Sequence, residues 1–400
     1  SIRFENVRSN ACAAVALAAL VLAGCAAPSS EPAPEVSEPV LVQEVVPEPP
    51  PTPPEPERPD PRALRLTVAA VGDIMLGTDY PENRLPDDDG VGFLNAVTPV
   101  LTNADIAFGN LEGVLVDGGE PGKRCSNPSA CYLFRSPTRY AAHLAAAGFD
   151  VMSLANNHAR DFGEEGRDMT MATLDRFGIH HSGRVGDVAK WQVNDLSVAM
   201  IAFAVTKNSF SMLDVVDAAF RVAELASTND SVFVSFLGGA EGLGALHIPF
   251  AEETYYNEPR GDVVVFARAM VDSGADLVLG HGPHVVRAME RYKGRLIAYS
   301  LGNFATYYGI SVAGLKGVAP ILVTTIDGTG TFIEGELIAT HQVRPAGPTL
   351  DPTLRAIREV RRLSISDFGT SGIAISATGS LSVAERREVR TAVQAPGARD

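Results

Sequence analysis

The stretch Gly274-Ala-Asp-Leu-Val-Leu-Gly-His-Gly-Pro-His284 decides how this chain is read. Asp276 to Leu279 is a short apolar run of strand character, and it leads straight into Gly280-His281-Gly282-Pro283-His284, which cannot continue a strand. Two imidazoles are thereby delivered to the carboxyl end of a strand, the edge at which open α/β sheets bind ligands. The glycines beside them are expected to let the backbone approach whatever is bound. A metal is the first candidate. His-x-x-His alone is a weak signal, so its weight depends on what the other strands carry.

Working outward, strand and helix patterns alternate. Leu66 to Val71 ends in Gly72-Asp73, Asp105 to Phe108 ends in Gly109-Asn110-Leu111-Glu112, and Asp150 to Ala155 ends in Asn156-Asn157-His158. Ser231 to Leu237 opens into Gly238-Gly239-Ala240-Glu241. Helices are expected around Gly92 to Leu101, from Ser136-Pro137 (N-cap and first helical position) to Gly148, from Glu164 to Phe177, over 213–227, and from Asp262 to Ser273. After His284 the pattern changes to hairpins, Val285 to Tyr292 with Arg295 to Tyr299 and Pro320 to Ile326 with Phe332 to Ile338. Alternation followed by hairpins suggests a mixed sheet or two packed sheets. The domain is expected over 62–345, followed over 346–400 by a charged helix near Leu354 to Leu363 and a loosely ordered Ser/Gly-rich tail.

Asp73, Glu112, Asn157 with His158, Glu241, and His281 with His284 thus all close apolar strands. Parallel strands set their carboxyl ends side by side, so these positions imply a shared rim. Carboxylate, amide and imidazole without thiolate suit manganese, iron or zinc, and such an ion can activate water or polarise a phosphoryl or acyl group. Each residue also has a plainer reading: Asp73 as a cap, Glu112 as a loop acid, the asparagine pair as a turn, His158 as a core histidine. His143, His180, His181, His247 and His341 lack the strand-end placement and read as structural.

The amino-terminal part reads as an address. Arg3 and Arg8 precede a thirteen-residue apolar run from Ala11, too short to span a bilayer, that ends in Leu22-Ala23-Gly24-Cys25. This resembles a bacterial lipoprotein signal over 1–25 with lipidation of Cys25, and Ala26 favours the outer membrane of a Gram-negative cell. From 26 to 61 a tether is expected: Pro28 to Pro61 holds thirteen prolines and eight acids against one base, so close to half of the net charge of −15 belongs to it. The folded part is mildly acidic and has no basic stripe, which argues against nucleic acid. Cys125 and Cys131 flank a polar loop, and in an exported chain a disulfide is favoured over a metal pair.

Taken together, Gly72-Asp-Ile-Met-Leu76, Asn110-Leu-Glu112, Ala155-Asn-Asn-His158 with Asp161-Phe-Gly163, Gly239-Ala-Glu241, Gly280-His-Gly-Pro-His284 and Tyr299-Ser-Leu-Gly-Asn-Phe304 resemble the CapA family. These are capsule-synthesis proteins associated with poly-γ-glutamate, with a fold like calcineurin-like metallophosphoesterases. The resemblance covers about Leu66 to Ile338. It implies an α/β protein built as a four-layer α/β/β/α sandwich, with one divalent ion at most, held by residues among Asp73, Glu112, Asn157, His281 and His284. It further implies His158 as general acid, and Asn110, Glu241 and Asn303 as substrate contacts. Two departures stand out: Met75 replaces the histidine of the phosphoesterase Asp-x-His, and Leu237 stands where a family histidine is usual. The expected partners are an anionic polymer or phosphorylated substrate, a membrane through the lipid anchor, and a capsule-synthesis complex. A metal-dependent hydrolase is the leading expectation. A polymer-binding or assembly component with a decayed site, or an exported nucleotidase, are its rivals.

Overall fold

The computed structural model describes residues 60–123, 131–369 and 372–384. The signal-type segment with Cys25, the proline-rich linker as far as Pro59, Cys125 and residues 385–400 lie outside the described residues.

Alternation along the strand Arg65–Met75 sends Leu66, Val68 and Ala70 to one apolar core and Ala69 and Val71 to another. That split builds the layers. The first sheet runs in the order Ile373–Ile375, Ser380–Val383, Phe332–Gln342, Val318–Asp327, Arg65–Met75, Ile106–Leu111, Val151–Ser153, His180–Ser182. Asn303–Thr306 adds to the end of Arg65–Met75, and Pro348–Leu350 pairs with Phe332–Gln342. The second sheet runs Met289–Tyr292, Arg295–Ala298, Leu277–His281, Ser231–Leu237, Leu196–Ala204, Ala189–Val193, with Phe210–Ser211 beside Leu196–Ala204. Ile106, Phe108 and Val151 of the first sheet share a core with Val198, Val234 and Leu279 of the second. Leu101, Leu144 and Leu174, on the helices Thr98–Leu101, Ala141–Ala146 and Gly163–Arg176, cover the outer face of the first sheet. Val222 and Phe266, on Val215–Ala226 and Val263–Asp272, cover the second. The result is the expected four-layer, metallophosphoesterase-like α/β/β/α sandwich.

The central strands of each sheet are parallel, so their carboxyl ends share an edge. Ser231–Leu237 is buried at every position, as a parallel strand covered on both faces must be. No helix of the described residues is long and apolar enough to cross a membrane.

Some local expectations change. Ser136 does not cap a helix: Arg135–Ser136 pairs as a short strand with Val114–Leu115, Ser136 Oγ donates to Gly77 O at 2.7 Å, and Pro137 precedes the helical turn. Gly280 serves strand packing rather than ligand approach, since a Cβ there would lie 2.3 Å from Tyr299 O. Residues 346–369 and 372–384, expected outside the domain, rejoin it. The helix Arg355–Phe368 buries Ile357, Val360 and Leu363, and the short strands near the end bury Ile373 and Leu381. Edge strands this short, each with one deep side chain, are hard to tell from a Ser/Gly-rich tail.

Gly72 is the tightest backbone approach near the strand-end rim. A Cβ there would lie 1.9 Å from Gly302 O, and both neighbours are backbone that cannot swing aside. Gly72→Ala is expected to cost at least about 2 kcal/mol, read as a lower urea midpoint at unchanged slope. An unaltered midpoint would mean that the two segments separate freely.

Candidate metal centre

The rim begins with a break in strand regularity. The ladder from Arg65–Met75 to Ile106–Leu111 shifts register between Ala70 and Asp73, and the ladder to Asn303–Thr306 shifts between Asp73 and Ile74. Such bulges re-aim side chains. Asp73 N donates to Gly302 O at 2.9 Å, which fixes the backbone. A relay of amides then fixes the carboxylate: Asn110 Nδ2 donates to Asp73 Oδ1 at 2.9 Å, and Asn156 Nδ2 donates to Asn110 Oδ1 at 3.2 Å and Leu111 O at 2.8 Å. From the second sheet comes His284, held at φ 56°, a left-handed conformation uncommon for a residue with a Cβ. Its Nδ1 lies 2.9 Å from Asp73 Oδ2 and 3.0 Å from Asn303 Oδ1.

Asp73, Glu112 and His284 offer ligand atoms that all lie within 4.8 Å of one another, the one such group among the described residues. Glu112 is 1% exposed, and neither carboxylate oxygen has a hydrogen-bond partner among the described residues. His284 Nε2 stands 3.6 Å from Glu112 Oε1. Burial pushes Glu112 up to about 8, eased by His284 and reinforced by Asp73. Burial alone would lower His284, but Glu112 and Asp73 together carry it up to about 10. Burial likewise works to raise Asp73, and the His284 hydrogen bond and charge outweigh it, so that carboxyl is held below its usual range. One imidazolium is thus the counter-charge for the ionised Asp73, beside a buried Glu112 that keeps its proton at neutral pH. A divalent ion would replace its proton and satisfy the open oxygens of Glu112, so the residues fit a metal of the manganese, zinc or iron kind.

His158 stands beside this group. Its Nδ1 lies 2.7 Å from Asp161 Oδ2, its Nε2 is 4.0 Å from Glu112 Oε1, and its ring stacks on Phe134 at 4.2 Å. Asp161 is fully buried and also accepts from Phe134 N at 2.8 Å. Met75 packs with Phe134 and Ile310, so the position that carries histidine in phosphoesterases here supports the ring under His158. A cleft of about 370 Å³ opens over His158 and His284 and is edged by Lys123, Glu241, Tyr255 and Tyr256.

The sequence-predicted residues divide. Asp73, Glu112 and His284 meet, and His158 adjoins them. Asn157 is half-buried and lines the cleft, and its backbone carbonyl accepts from Lys123 Nζ at 3.4 Å. His281 is not in the ligand group: its ring stacks on Phe108 in the core between the sheets, both ring nitrogens lack partners among the described residues, and burial brings its pKa down to about 4. Strand alternation turns it inward, in register with the buried Leu237. Asn110 and Asn303, expected to face substrate, are buried and engaged internally. Asn303 Nδ2 donates to the carbonyls of His284, Ser311 and Lys316. Glu241 pairs with Arg260 at 2.8 Å. His247 is committed to Asp367 at 2.6 Å. Cys131 is disulfide-bonded, and Cys125 lies outside the described residues. Asn156 and Asp161 stand in the sequence only as parts of motifs and not as site residues, although Asp161 follows His158 at a spacing that lets one turn join them.

Two outcomes are expected. Glu112 and His284 hold protons at pH 7, so metal binding must release them and tighten as pH rises from about 6 to 9. Calorimetric titration with Mn²⁺ or Zn²⁺ in buffers of different ionisation enthalpy should show more than one proton released per ion, and zero release would contradict the assignment. Asn156→Ala, which loosens the relay behind Asp73, should weaken metal binding about 10–100-fold.

The capsule biosynthesis protein CapA of Bacillus anthracis is 31% identical over 258 residues, covering 60% of this chain and 59% of that protein. The PGA biosynthesis protein CapA of Bacillus subtilis (strain 168) is 28% identical over 318 residues, covering 75% and 78%. The chain therefore spans less than two thirds of the first of these relatives. Among solved structures, purple acid phosphatase PPD1 from yellow lupin seeds is similar at a TM-score of 0.36 with 8% identity, covering 77% of this chain and 57% of that one, a likeness too distant to add to what the sheets show. The pattern of the family described as bacterial capsule synthesis protein PGA_cap matches residues 67–232 and 245–308, more than half of the 400 residues, and the chain belongs to that family.

Proposed function

We propose that this chain acts in the synthesis, export or surface attachment of an anionic, poly-γ-glutamate-type polymer, anchored to a membrane through a lipid on Cys25, with a metal-dependent hydrolase or transferase site at the shared rim. The observation that carries the catalytic part is Glu112, a buried carboxylate with both oxygens open, opposite Asp73 and His284. Family membership and the names of the two CapA relatives support the polymer; the lipobox-like Leu22-Ala23-Gly24-Cys25 supports the anchor.

Asp73, Glu112 and His284 would hold one divalent ion, which supplies Lewis-acid polarisation of a phosphoester or amide bond. The chain's own residues do the rest. Asp161 holds His158 by Nδ1, leaving Nε2 toward the ligand group, where it can deliver a proton to the leaving group. Burial lowers the His158 pKa, and the Asp161 charge and hydrogen bond only partly offset that fall, so the imidazolium that can donate from Nε2 is a stronger acid than a free histidine. Phe134 covers one ring face and limits water there.

A second reading, a polymer-binding component without turnover, is favoured by Leu237, which is apolar and buried beside His281. Metal content separates the two. One equivalent in the natural chain supports the hydrolase reading, whereas no metal in the natural chain supports the binding component. His158→Gln is expected to keep metal while lowering turnover on a panel of phosphoesters and γ-glutamyl amides by about 10²–10⁴-fold. Unchanged polymer production in cells carrying Asp73→Asn would sink the catalytic role.

A further inference from the structure

Arg167, on the helix Gly163–Arg176, is 1% exposed, yet only one of its guanidinium nitrogens is engaged. Nη1 donates to Asn208 O at 3.0 Å, while Nε and Nη2 have no hydrogen-bond partner among the described residues. A guanidinium is always charged, and leaving its donors open in the interior is costly unless another group meets them. Arg167 lines a cavity of about 200 Å³ together with Lys123, Arg160, Lys207 and the hydroxyl residues Thr206 and Ser209. No carboxylate lines it among the described residues. In a chain with 48 acidic and 33 basic residues, that is a local reversal of charge.

The nearby acids are already committed. Glu164 meets Arg160 at 2.5 Å, Arg184 at 3.0 Å and Asn208 Nδ2 at 3.2 Å, and Asp161 holds His158 and Lys123. The helix begins at Gly163, which also lines the cavity, without a side-chain cap, so its N-terminal partial charge adds to the positive field. The Nε–Nη2 edge of an arginine presents two parallel N–H donors that match two oxygens of one carboxylate or phosphate.

We infer that this cavity is an oxyanion subsite in which Arg167 grips a carboxylate or phosphate group through Nε and Nη2, within the field of Lys123, Arg160 and Lys207. Lys123 and Asn157 line both this cavity and the cleft over His158 and His284, so the two are neighbours. Resting on the function proposed above, the group held here is a second anionic group of the same substrate, adjacent to the bond presented at the rim.

Calorimetric titration of the full chain with inorganic phosphate and with glutarate, after chelation of metal and at fixed ionic strength, reads the subsite without turnover. Saturable binding of at least one is expected, weakened about 30-fold or more in Arg167→Lys, which cannot form the two-pronged contact. The titration is made without metal, so failure of the metal reading leaves this result standing. Lys207 is exposed. Lys207→Glu therefore tests the subsite without disturbing the interior if Arg167→Lys fails to fold, and should weaken binding about tenfold. Binding of phosphate alone assigns a phosphoryl group, and of glutarate alone a carboxylate. No saturable binding of either, or affinity unchanged in every variant of Arg167 and Lys207 that folds, overturns the subsite and leaves a cavity that holds only water.

Discussion

The hydrogen bond from Asp73 N to Gly302 O is the joint on which the site depends. It is made possible by two glycines whose backbones lie closer than any side chain permits, and it ties the end of a first-sheet strand to the segment that carries Asn303. Asn303 in turn holds the carbonyl and the ring of His284. A residue of one sheet and a residue of the other are thereby set against the same carboxylate. The register shifts on either side of Asp73 follow from this, because a strand cannot keep its ladders on both sides and also bend toward the neighbouring layer.

The charge arrangement follows from the position. At the junction of two sandwiched sheets Asp73 and Glu112 are nearly solvent-free, and carboxylates in such a place must be protonated, paired or bound to a cation. Asp73 has amide and imidazole partners, whereas Glu112 has its two open oxygens and a histidine just beyond hydrogen-bond range. That imbalance destabilises the metal-free fold locally and makes the site receptive to a cation. The same logic with opposite sign applies at Arg167, where a buried guanidinium with open donors is receptive to an anion. The two lie on either side of the Asn156-Asn157-His158 turn, so an acidic chain presents a cation-seeking centre and an anion-seeking pocket within one surface region.

Much of this was legible in the sequence. Apolar runs closed by Gly-Asp, Asn-Leu-Glu, Asn-Asn-His and Gly-His-Gly-Pro-His locate parallel strand ends, because a strand buried on both faces reads as an unbroken apolar run and its polar successor must lie at the rim. Ser231–Leu237 has the bounds its composition predicts. Asp73, Glu112, His158 and His284 were therefore placed together by position in the chain alone. The family motifs narrowed the set further, and the departures at Met75 and Leu237 were equally plain to read.

The direction of each side chain was decided only in three dimensions. His281 and His284 look equivalent in the sequence, yet strand alternation turns His281 into the core against Phe108 while a left-handed backbone swings His284 to the rim. Asn156 and Asn157 are likewise indistinguishable until a tight turn sends the first into the amide relay. Asn303 appears as a substrate contact by motif and is instead spent on the backbone carbonyls of His284, Ser311 and Lys316. Arg167 reads as one cation on a polar helix, and its open donors exist only because that helix packs against the loop bearing Lys207 and Asn208. Periodicity and turn chemistry are local properties that the sequence by itself determines. Which donors and acceptors remain unmatched depends on contacts between distant segments, so the tertiary structure alone decides it.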